Sequence, residues 1–252
     1  MTQNEALFKY VTQIGDNSLI LGQRLAEWCG HGPVLEEDIA LTNTALDLVG
    51  QATSLLKYAG EIEGKGRNED DLAFLRFEYD YRNVLLCELP NTDYAYTLAR
   101  QFLFDHFNYL FYQELLASED KQLAAIAEKS LKEVTYHRRR SSEWLIRLGD
   151  GTKESHDRIQ LAINDLWEYT GEMFNEGDIE QIMFAAGIGV NLSKIKALWD
   201  ANVAEVLESA TIAMPQDGFM QLGGKIGRHT EYMGFILAEM QYMQRAYPNC
   251  EW

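Results

Sequence analysis

The sequence contains five histidines, the residues best suited to bind a metal ion together with carboxylates. In helical bundles that hold two metals, the histidines belong to Glu-x-x-His motifs, whose i, i+3 spacing places both side chains on one helix face. The residues three positions before the five histidines are Trp28, Leu103, Val134, Lys153 and Ile226. None of them is a glutamate, so the sequence does not predict a di-metal site of this type.

Six positions on the predicted helices would face the axis of a four-helix bundle near its middle: Ser18, Leu48, Gln51, Asp105, Val134 and His137. In a di-metal bundle these positions carry, helix by helix, a glutamate, a glutamate and a histidine, a glutamate or aspartate, and a glutamate and a histidine. Only Asp105 and His137 are good ligands, and Leu48 and Val134 are apolar where carboxylates are required. We therefore predict the vestige of a di-metal site, with no catalytic residue, no metal ligand and no cofactor in this chain.

The polar pair on these seams has a predicted structural role. A buried carboxylate without a partner is costly, and an imidazole that donates a hydrogen bond to it removes that cost. We expect Asp105 and His137 to be buried and hydrogen-bonded to each other, or to a shared network that includes Gln51 or Tyr136.

A displaced metal site is the alternative. Asp47 and Glu133 are sequence neighbours of the missing carboxylates, and Asp16 lies close to Ser18. The i, i+4 spacing of Glu133 and His137 could also share a metal. Asp47 and Glu133 are each one residue away from the apolar seam, about 100° around the helix, which disfavours this hypothesis.

Three other motifs are weaker. Gly223-Gly224-Lys225 lacks the spacing and the Ser/Thr of a P-loop and is interpreted as a loop before a helix. Ser141 and Ser142 have no His and Asp at a helical spacing that indicates a triad. The densest basic cluster is Lys132 with Arg138, Arg139 and Arg140. It is interpreted as a solvated helix face, or else as a surface for an acidic partner or an acyl-CoA phosphate.

The elements that must position these residues are helices. The 124 residues between Pro90 and Pro215 contain no proline, and apolar residues recur at steps of three and four. Four seams follow this spacing: Leu7, Val11, Ile14, Ser18, Leu21, Leu25 and Trp28; Leu41, Ala45, Leu48, Ala52, Leu55 and Ala59; Leu98, Phe102, Asp105, Tyr109, Tyr112 and Leu116; Leu123, Ala127, Ser130, Val134, His137, Ser141, Trp144 and Leu148.

These seams predict an all-α, ferritin-like four-helix bundle with additional C-terminal helices. Residues 1–60 and 92–149 are each expected to form an antiparallel hairpin, and residues 61–90 a crossover with a helix of its own. Further helices are predicted around 159–174, 193–213 and 229–246, about eight in all. Because the composition does not shift along the chain, a single domain over residues 1–252 is expected.

Composition and charge narrow the function. The chain has 252 residues, of which 46% are hydrophobic, and a formal charge of −17. This charge disfavours nucleic acid and anionic membranes as partners. No apolar window approaches the ~18 residues of a membrane span. Three scattered cysteines without a CxxC motif, and a start without a basic signal region, predict a cytoplasmic protein.

Several segments of the sequence resemble a known family. They are GDN at 15–17, QRLAEWCGH at 23–31, ALDLVGQA at 45–52, KEVTYH at 132–137, GGKIGRHTE at 223–231 and LAEMQYMQR at 237–245. Through these motifs the chain resembles, nearly end to end, the C-subunit family of bacterial phenylacetyl-CoA epoxidases, which are multicomponent ring-1,2 monooxygenases.

The resemblance implies a ferritin-like fold and a supporting role. In that family a paralogous A subunit carries the di-iron centre that epoxidises the aromatic ring, a reductase supplies electrons from NADPH, and the C subunit is a structural partner. The Glu-x-x-His motifs of the A subunit match 48–51 and 134–137 here, and its aspartate on the third helix matches Asp105. The implied partners are the di-iron A subunit and other oxygenase components, with self-association left open.

Two other classes of function compete with this hypothesis: a ferritin-like oxidase with an atypical metal site, and an acyl-CoA-binding module. If the chain is a scaffold, it must present a large contact surface. Four side chains near its C-terminus are expected to be exposed for that purpose: Tyr232, Met233, Tyr242 and Met243.

Overall fold

A computed structural model of the chain describes residues 1–216, 218–248 and 250. These residues form ten α-helices and three short 3-10 turns, without a β-strand. The helices are α1 (Gln3–Ala26), α2 (Leu35–Glu63), α3 (Glu69–Phe74), α4 (Tyr94–Leu115), α5 (Lys121–Gly149), α6 (Lys153–Trp167), α7 (Gly171–Phe174), α8 (Asp178–Ala185), α9 (Leu192–Ser209) and α10 (Glu231–Ala246). They belong to two compact units, Met1–Pro90 with the chain from Gly223 onward, and Asn91–Leu222.

In the first unit, α1 and α2 form the predicted antiparallel hairpin. The two glycines of α1 show the register: Gly15 lies against Leu56, and Gly22, two turns later, lies against Leu48. A Cβ atom at Gly15 would be 3.0 Å from Leu56 Cδ2, so the absence of a side chain lets the two helices approach closely. The hairpin is therefore fixed by small residues on α1 and by the apolar seam of α2.

The GDN segment attaches the crossover to α1. Asp16 accepts hydrogen bonds from both terminal nitrogens of the Arg76 guanidinium and, at 2.9 Å, from the backbone N–H of Arg82. The next residue, Asn17, accepts the N–H of Val84 at 2.8 Å. Because these acceptors are buried, they satisfy the backbone of a segment that has little regular structure.

The segment GGKIGRHTE leads into α10 and is anchored by a buried ion pair. His229 Nδ1 lies 2.8 Å from Glu88 Oε2, and His229 Nε2 lies 3.2 Å from the carbonyl oxygen of Tyr81. Both partners are acceptors, so both ring nitrogens carry protons and His229 is an imidazolium. Gly224 packs against the carbonyl of Asn83, where a Cβ atom would be only 2.0 Å from the oxygen. The interpretation of these glycines as a loop before a helix is confirmed.

In the second unit, α4 and α5 form the second predicted hairpin. Tyr109 lies beside Arg138, and His106, one turn earlier on α4, lies beside Ser142, one turn later on α5. This reversed register is antiparallel, as predicted. Asp93 caps α4 by accepting the N–H of Tyr96 at 2.8 Å.

Helix α4 is buried on most of its surface: 17 of its 22 residues are buried. Besides α5, it packs against α6 and α9. Trp199 of α9 donates a hydrogen bond from Nε1 to the carbonyl of Leu103 at 3.0 Å, and its ring contacts Phe174. The additional helices thus cover faces of α4 that a four-helix bundle would leave to solvent.

The seam residues are mostly buried, with clear exceptions. Leu116 was predicted to be buried and is 42% exposed, because α4 ends at Leu115. Five others are only half-buried: Leu7, Trp28, Tyr109, Trp144 and Leu148. Trp28 lies beyond the last residue of α1, and Leu148 is in the last turn of α5. Three of the six exceptions thus lie at or beyond the end of a helix, whereas Leu7, Tyr109 and Trp144 lie further inside.

The predicted C-terminal helices are present with different bounds. The helix expected around 159–174 is divided into α6 and α7, and the helices expected around 193–213 and 229–246 correspond to α9 and α10. The short helix α8 was not predicted.

Within the described part of the chain, no helix combines the length and the apolar character needed to cross a membrane.

Two glycines of α2 should respond in opposite ways to the same substitution. Gly50 has open space around its Cα atom, so Gly50→Ala should raise the free energy of unfolding by about 0.5–1 kcal/mol. At Gly60 a Cβ atom would be 2.3 Å from the carbonyl oxygen of Arg67, so Gly60→Ala should lower it by roughly 1–3 kcal/mol. Urea unfolding of both variants tests this, and equal effects would contradict the packing described for α2.

The His229–Glu88 pair should make stability depend on pH. Burial alone lowers the pKa of His229, but the hydrogen bond and charge of Glu88 outweigh it and hold the pKa above its ordinary value. The stabilisation is therefore complete below pH ~6.5 and is lost as the pH rises through the elevated pKa of the folded state.

His229→Gln should be less stable than the parent by roughly 1–3 kcal/mol in mildly acidic buffer, and the gap should narrow in alkaline buffer. Thermal unfolding measured across pH tests this expectation. His31→Gln, at an exposed histidine, is the matched control and should follow the parent at every pH. A gap that widened with rising pH would show that His229 is not the cation of this pair.

Candidate functional site

Asp105 is the only carboxylate among the six positions predicted to face the bundle axis, called the axial positions below. It is 1% exposed, and its Oδ1 accepts a hydrogen bond of 2.6 Å from Nε2 of Gln101, one turn earlier on α4. Its Oδ2 is also buried and accepts no hydrogen bond from the described residues. The predicted burial is confirmed, but the partner of the carboxylate is Gln101.

The environment of Asp105 disfavours its charge. Burial raises the pKa of Asp105 to about 6, and the neighbouring imidazole of His137 and the hydrogen bond from Gln101 only partly oppose this effect. A carboxylate that serves as a metal ligand would be stabilised by the cation in its ionised form. Here the amide of Gln101 and the nearby side chains of His137 and Arg140 take the place of a cation, and the effect of burial outweighs them.

Helix α5 contributes His137 and Val134, which are 1% and 0% exposed. The i, i+3 spacing does place them on one helix face, but Val134 offers no ligand atom. Tyr136, considered as a network member, is 42% exposed and meets the His137 ring edge-on, with 6.2 Å between the ring centroids. Tyr136 is therefore not part of a buried hydrogen-bond network, and that part of the prediction is wrong.

The other three axial positions lie in the first unit. Ser18, Leu48 and Gln51 are all buried, with exposures of 1%, 0% and 3%. The Cβ of Leu48 faces Gly22 of α1, at 3.3 Å from where a Cβ atom of that glycine would be. Leu48 thus contributes to the packing of the hairpin, at a position where a metal site would need a carboxylate.

The displaced metal site is not supported by these contacts. The carboxylate of Asp16 is already bound by Arg76 and by the N–H of Arg82. Asp47 and Glu133 are half-buried on their own helices. Over the residues that the structure describes, no three His, Cys, Asp or Glu side chains lie close enough to hold a metal ion. The residues present do not fit the di-metal centre known from this type of bundle.

One buried histidine has an unpredicted contact with a serine. His106 Nε2 lies 2.9 Å from Ser142 Oγ, and Ser142 Oγ donates its proton to the carbonyl of Arg138 at 2.7 Å. Nε2 must therefore donate to the serine, which is the reverse of the polarity in a catalytic Ser–His pair. Burial and the charge of Arg138 lower the pKa of His106 to about 3, so the ring is neutral. This contact is structural.

The basic cluster on α5 is not one solvated face. Lys132 and Arg139 are exposed, but Arg140 is 7% exposed and its charge lowers the pKa of Asp105. Arg138 is half-buried, with its guanidinium 3.8 Å from the centroid of the Tyr109 ring. The interpretation of all four residues as solvated is therefore wrong for Arg140, which lies on the inner side of the helix.

The expected contact residues near the C-terminus need one correction. Tyr242 and Met243 are exposed, by 62% and 41%, but Met233 is fully buried. Tyr232 is half-buried. Phe235, which was not predicted, is 67% exposed. The aromatic surface of α10 thus exists, with Phe235 in place of Met233.

The chain is similar to known proteins along its whole length. A family model described as phenylacetic acid catabolic protein matches residues 1–252. The C subunit of the 1,2-phenylacetyl-CoA epoxidase from Escherichia coli (strain K12) is 47% identical to the chain over 246 residues, which cover 98% of this chain and 99% of that protein.

A solved structure shares the fold. Protein 19 with aldehyde deformylating oxidase activity from Synechococcus has a TM-score of 0.59 and 15% identity, and the match covers 84% of this chain and 95% of that one. At this identity the likeness concerns the fold alone. Together with the order of the helices, it confirms the prediction of an all-α, ferritin-like fold.

Asp105 should destabilise the folded chain at neutral pH. Its pKa is raised to about 6 in the folded state, so the folded chain holds this proton more tightly than the unfolded chain does. The free energy of unfolding is therefore expected to fall as the pH rises from ~4 through 6. Asp105→Asn keeps an acceptor for Gln101 without the charge. This variant should match the parent near pH 4 and be more stable at pH 7, by up to roughly 3 kcal/mol.

Asp105→Ala is the informative comparison. It leaves Gln101 Nε2 without its acceptor and opens a cavity, so it should be roughly 1–3 kcal/mol less stable than Asp105→Asn at every pH. Chemical denaturation between pH 4 and 7 measures both effects. If Asp105→Asn lost stability relative to the parent as the pH rose, the buried carboxylate would have a stabilising partner that this geometry lacks.

Proposed function

The chain belongs to the phenylacetic acid catabolic protein family, and from this membership we propose that it is a subunit of a phenylacetyl-CoA epoxidase in phenylacetate catabolism. We assign it a supporting role: it associates with a separate di-iron catalytic subunit and does not carry out the oxygenation itself. The identity of 47% to the Escherichia coli protein, over nearly the full length of both chains, supports the first part.

The apolar side chains at the two carboxylate slots carry the second part. Leu48 and Val134 are both fully buried. Among the described residues, no neighbouring carboxylates form a cluster that could hold a metal ion in their place. A di-iron centre needs several carboxylates to neutralise its charge, and two ligands do not suffice. The proposed role therefore leaves oxygen activation and substrate oxidation to the partner subunit.

A supporting subunit must be stable without a metal and must present a contact surface. The apolar seams of the two hairpins and the buried ion pair between Asp16 and Arg76 provide stability without a metal. For the contact surface, exposed aromatic and methionine side chains on α10 offer the residue types enriched at protein interfaces: Phe235, Tyr242 and Met243. We also propose that residues 1–252 form a single ferritin-like domain, because the family match runs through both units.

Reconstitution with the catalytic subunit tests the proposal. The chain should form a stable complex that elutes as one species in size-exclusion chromatography, and should raise turnover of phenylacetyl-CoA above that of the catalytic subunit alone. Asp105→Asn and His137→Gln in this chain should leave the iron content of the complex and its turnover within about twofold of the parent.

The matched control replaces a metal ligand in the catalytic subunit, which should abolish both iron and turnover. The proposal fails if the catalytic subunit alone reaches the full rate and no complex forms. It also fails if the isolated chain holds iron or manganese that is lost in Asp105→Asn and His137→Gln, since that result would favour an oxidase with its own metal site.

A further inference from the structure

The first unit contains an electropositive cavity of about 210 Å³ beside the start of α1. Six residues of its wall are Phe8, Lys9, Thr12, Arg67, Arg76 and Arg82. Four of the chain's 22 basic residues thus line one small cavity, in a protein whose formal charge is −17. This local reversal of charge indicates an anionic ligand.

Two of the four cations are already neutralised. Arg76 pairs with the buried carboxylate of Asp16, and Arg67 donates from Nε and Nη2 to Glu63 at 2.7 and 2.6 Å. The second terminal nitrogen of Arg67, Nη1, has no hydrogen-bond partner among the described residues. Arg76 therefore shapes the cavity, and Arg67 retains one donor group.

Lys9 and Arg82 supply positive charge that no ion pair among the described residues takes up, although Lys9 also interacts with the charge of Glu5, one turn earlier on α1. Neither forms an ion pair with a carboxylate in the part of the chain that the structure describes. Arg82 is held in place, since its Nη1 donates to the carbonyls of Tyr79 and Tyr81 at 2.8 and 3.0 Å. These carbonyls orient the guanidinium without cancelling its charge. A pre-oriented guanidinium is well suited to bind the oxygens of a phosphate.

The volume restricts the ligand to a small group. A cavity of 210 Å³ holds about seven water molecules and is smaller than the ~300–1,000 Å³ of sites for drug-sized ligands. A tetrahedral oxyanion fits this space, whereas a complete nucleotide does not.

Asp80 also lines the cavity and narrows the choice of anion. Its Oδ2 accepts the N–H of Phe77 at 3.2 Å, and its Oδ1 accepts no hydrogen bond from the described residues. A carboxylate only accepts hydrogen bonds. It therefore repels an anion without protons and accepts a hydrogen bond from one that keeps a hydroxyl. Inorganic phosphate keeps a P–OH group at neutral pH, and sulfate does not.

We propose that this cavity binds a protonated phosphate group, as inorganic phosphate or as the singly protonated phosphoryl end of a larger molecule. Lys9, Arg82 and Nη1 of Arg67 are the donors, and Asp80 accepts the P–OH and discriminates against sulfate. The site is independent of the proposed role in the epoxidase, because all its residues lie in the first unit and none is an axial position.

Calorimetric titration of the full chain with inorganic phosphate at low ionic strength tests the proposal. We expect saturable binding that Lys9→Gln and Arg82→Gln each weaken at least tenfold. Arg139→Gln, at an exposed arginine outside the cavity, is the matched control and should leave the affinity unchanged. Because Lys9 is exposed, its substitution should not disturb folding. Because a phosphate monoester loses its last proton near pH ~6, titration with glycerol 3-phosphate and with inorganic phosphate in buffer below that pH distinguishes a phosphoryl end from free phosphate as the preferred ligand.

The ratio of the affinities for phosphate and sulfate gives a second test. The parent should bind phosphate at least tenfold more tightly than sulfate, and Asp80→Asn should reduce this ratio by raising the affinity for sulfate. Absence of saturation, or an affinity that none of the cavity variants changes, would overturn the site and leave an adventitious ion only. Equal binding of phosphate and sulfate by the parent would overturn the role of Asp80.

Discussion

The first unit depends on a buried ion pair between Asp16 of α1 and Arg76 of the crossover. The guanidinium also lies 4.0 Å from the centroid of the Tyr81 ring, and Gln241 of α10 donates to the Tyr81 hydroxyl at 2.8 Å. Burial raises the pKa of Tyr81 to about 12, so its hydroxyl stays protonated and donates to the carbonyl of Ala73. Removing one partner of such a pair leaves a buried charge uncompensated, at a cost of about 3–5 kcal/mol. The crossover, the C-terminal helix and the wall of the basic cavity therefore share one electrostatic anchor.

The hairpins could be predicted from the sequence because their helices are long and each carries an apolar seam at steps of three and four. On α1 and α4 the spacing indicates one buried face, although 16 of the 24 residues of α1 and 17 of the 22 residues of α4 are buried. The buried residues of α4 include Arg100 and Asn108, which a sequence pattern assigns to solvent. Arg100 donates a hydrogen bond to Asn91, which precedes the helix, and α6 and α9, which follow later in the chain, pack against α4. No spacing within α4 contains that information. The same limitation explains Met233, whose burial is set by tertiary packing.

The candidate site was predictable where chemistry makes strict demands. A leucine cannot ligate a metal in any conformation, so the loss at Leu48 and Val134 was evident from residue types alone. Hydrogen-bond partners were harder to predict, although the i, i+4 spacing of Gln101 and Asp105 was a signal that could have identified the pair. Arg140 was misassigned because a run of three arginines resembles a solvated face, while the helical period turns one of them inward.

The burial of α4 also determines how the second unit opens. Transient opening that exposes the amides of this helix requires α5, α6 and α9 to separate from it, which amounts to unfolding of the whole unit. We therefore expect the amide hydrogens at its centre, around Phe102 to Phe107, to exchange with solvent only when the whole unit unfolds. The short helix α8 buries only Glu180 and Met183 among its eight residues, and we expect it to open at lower free energy. Rigidity in this unit thus decreases from its central helix toward its peripheral segments.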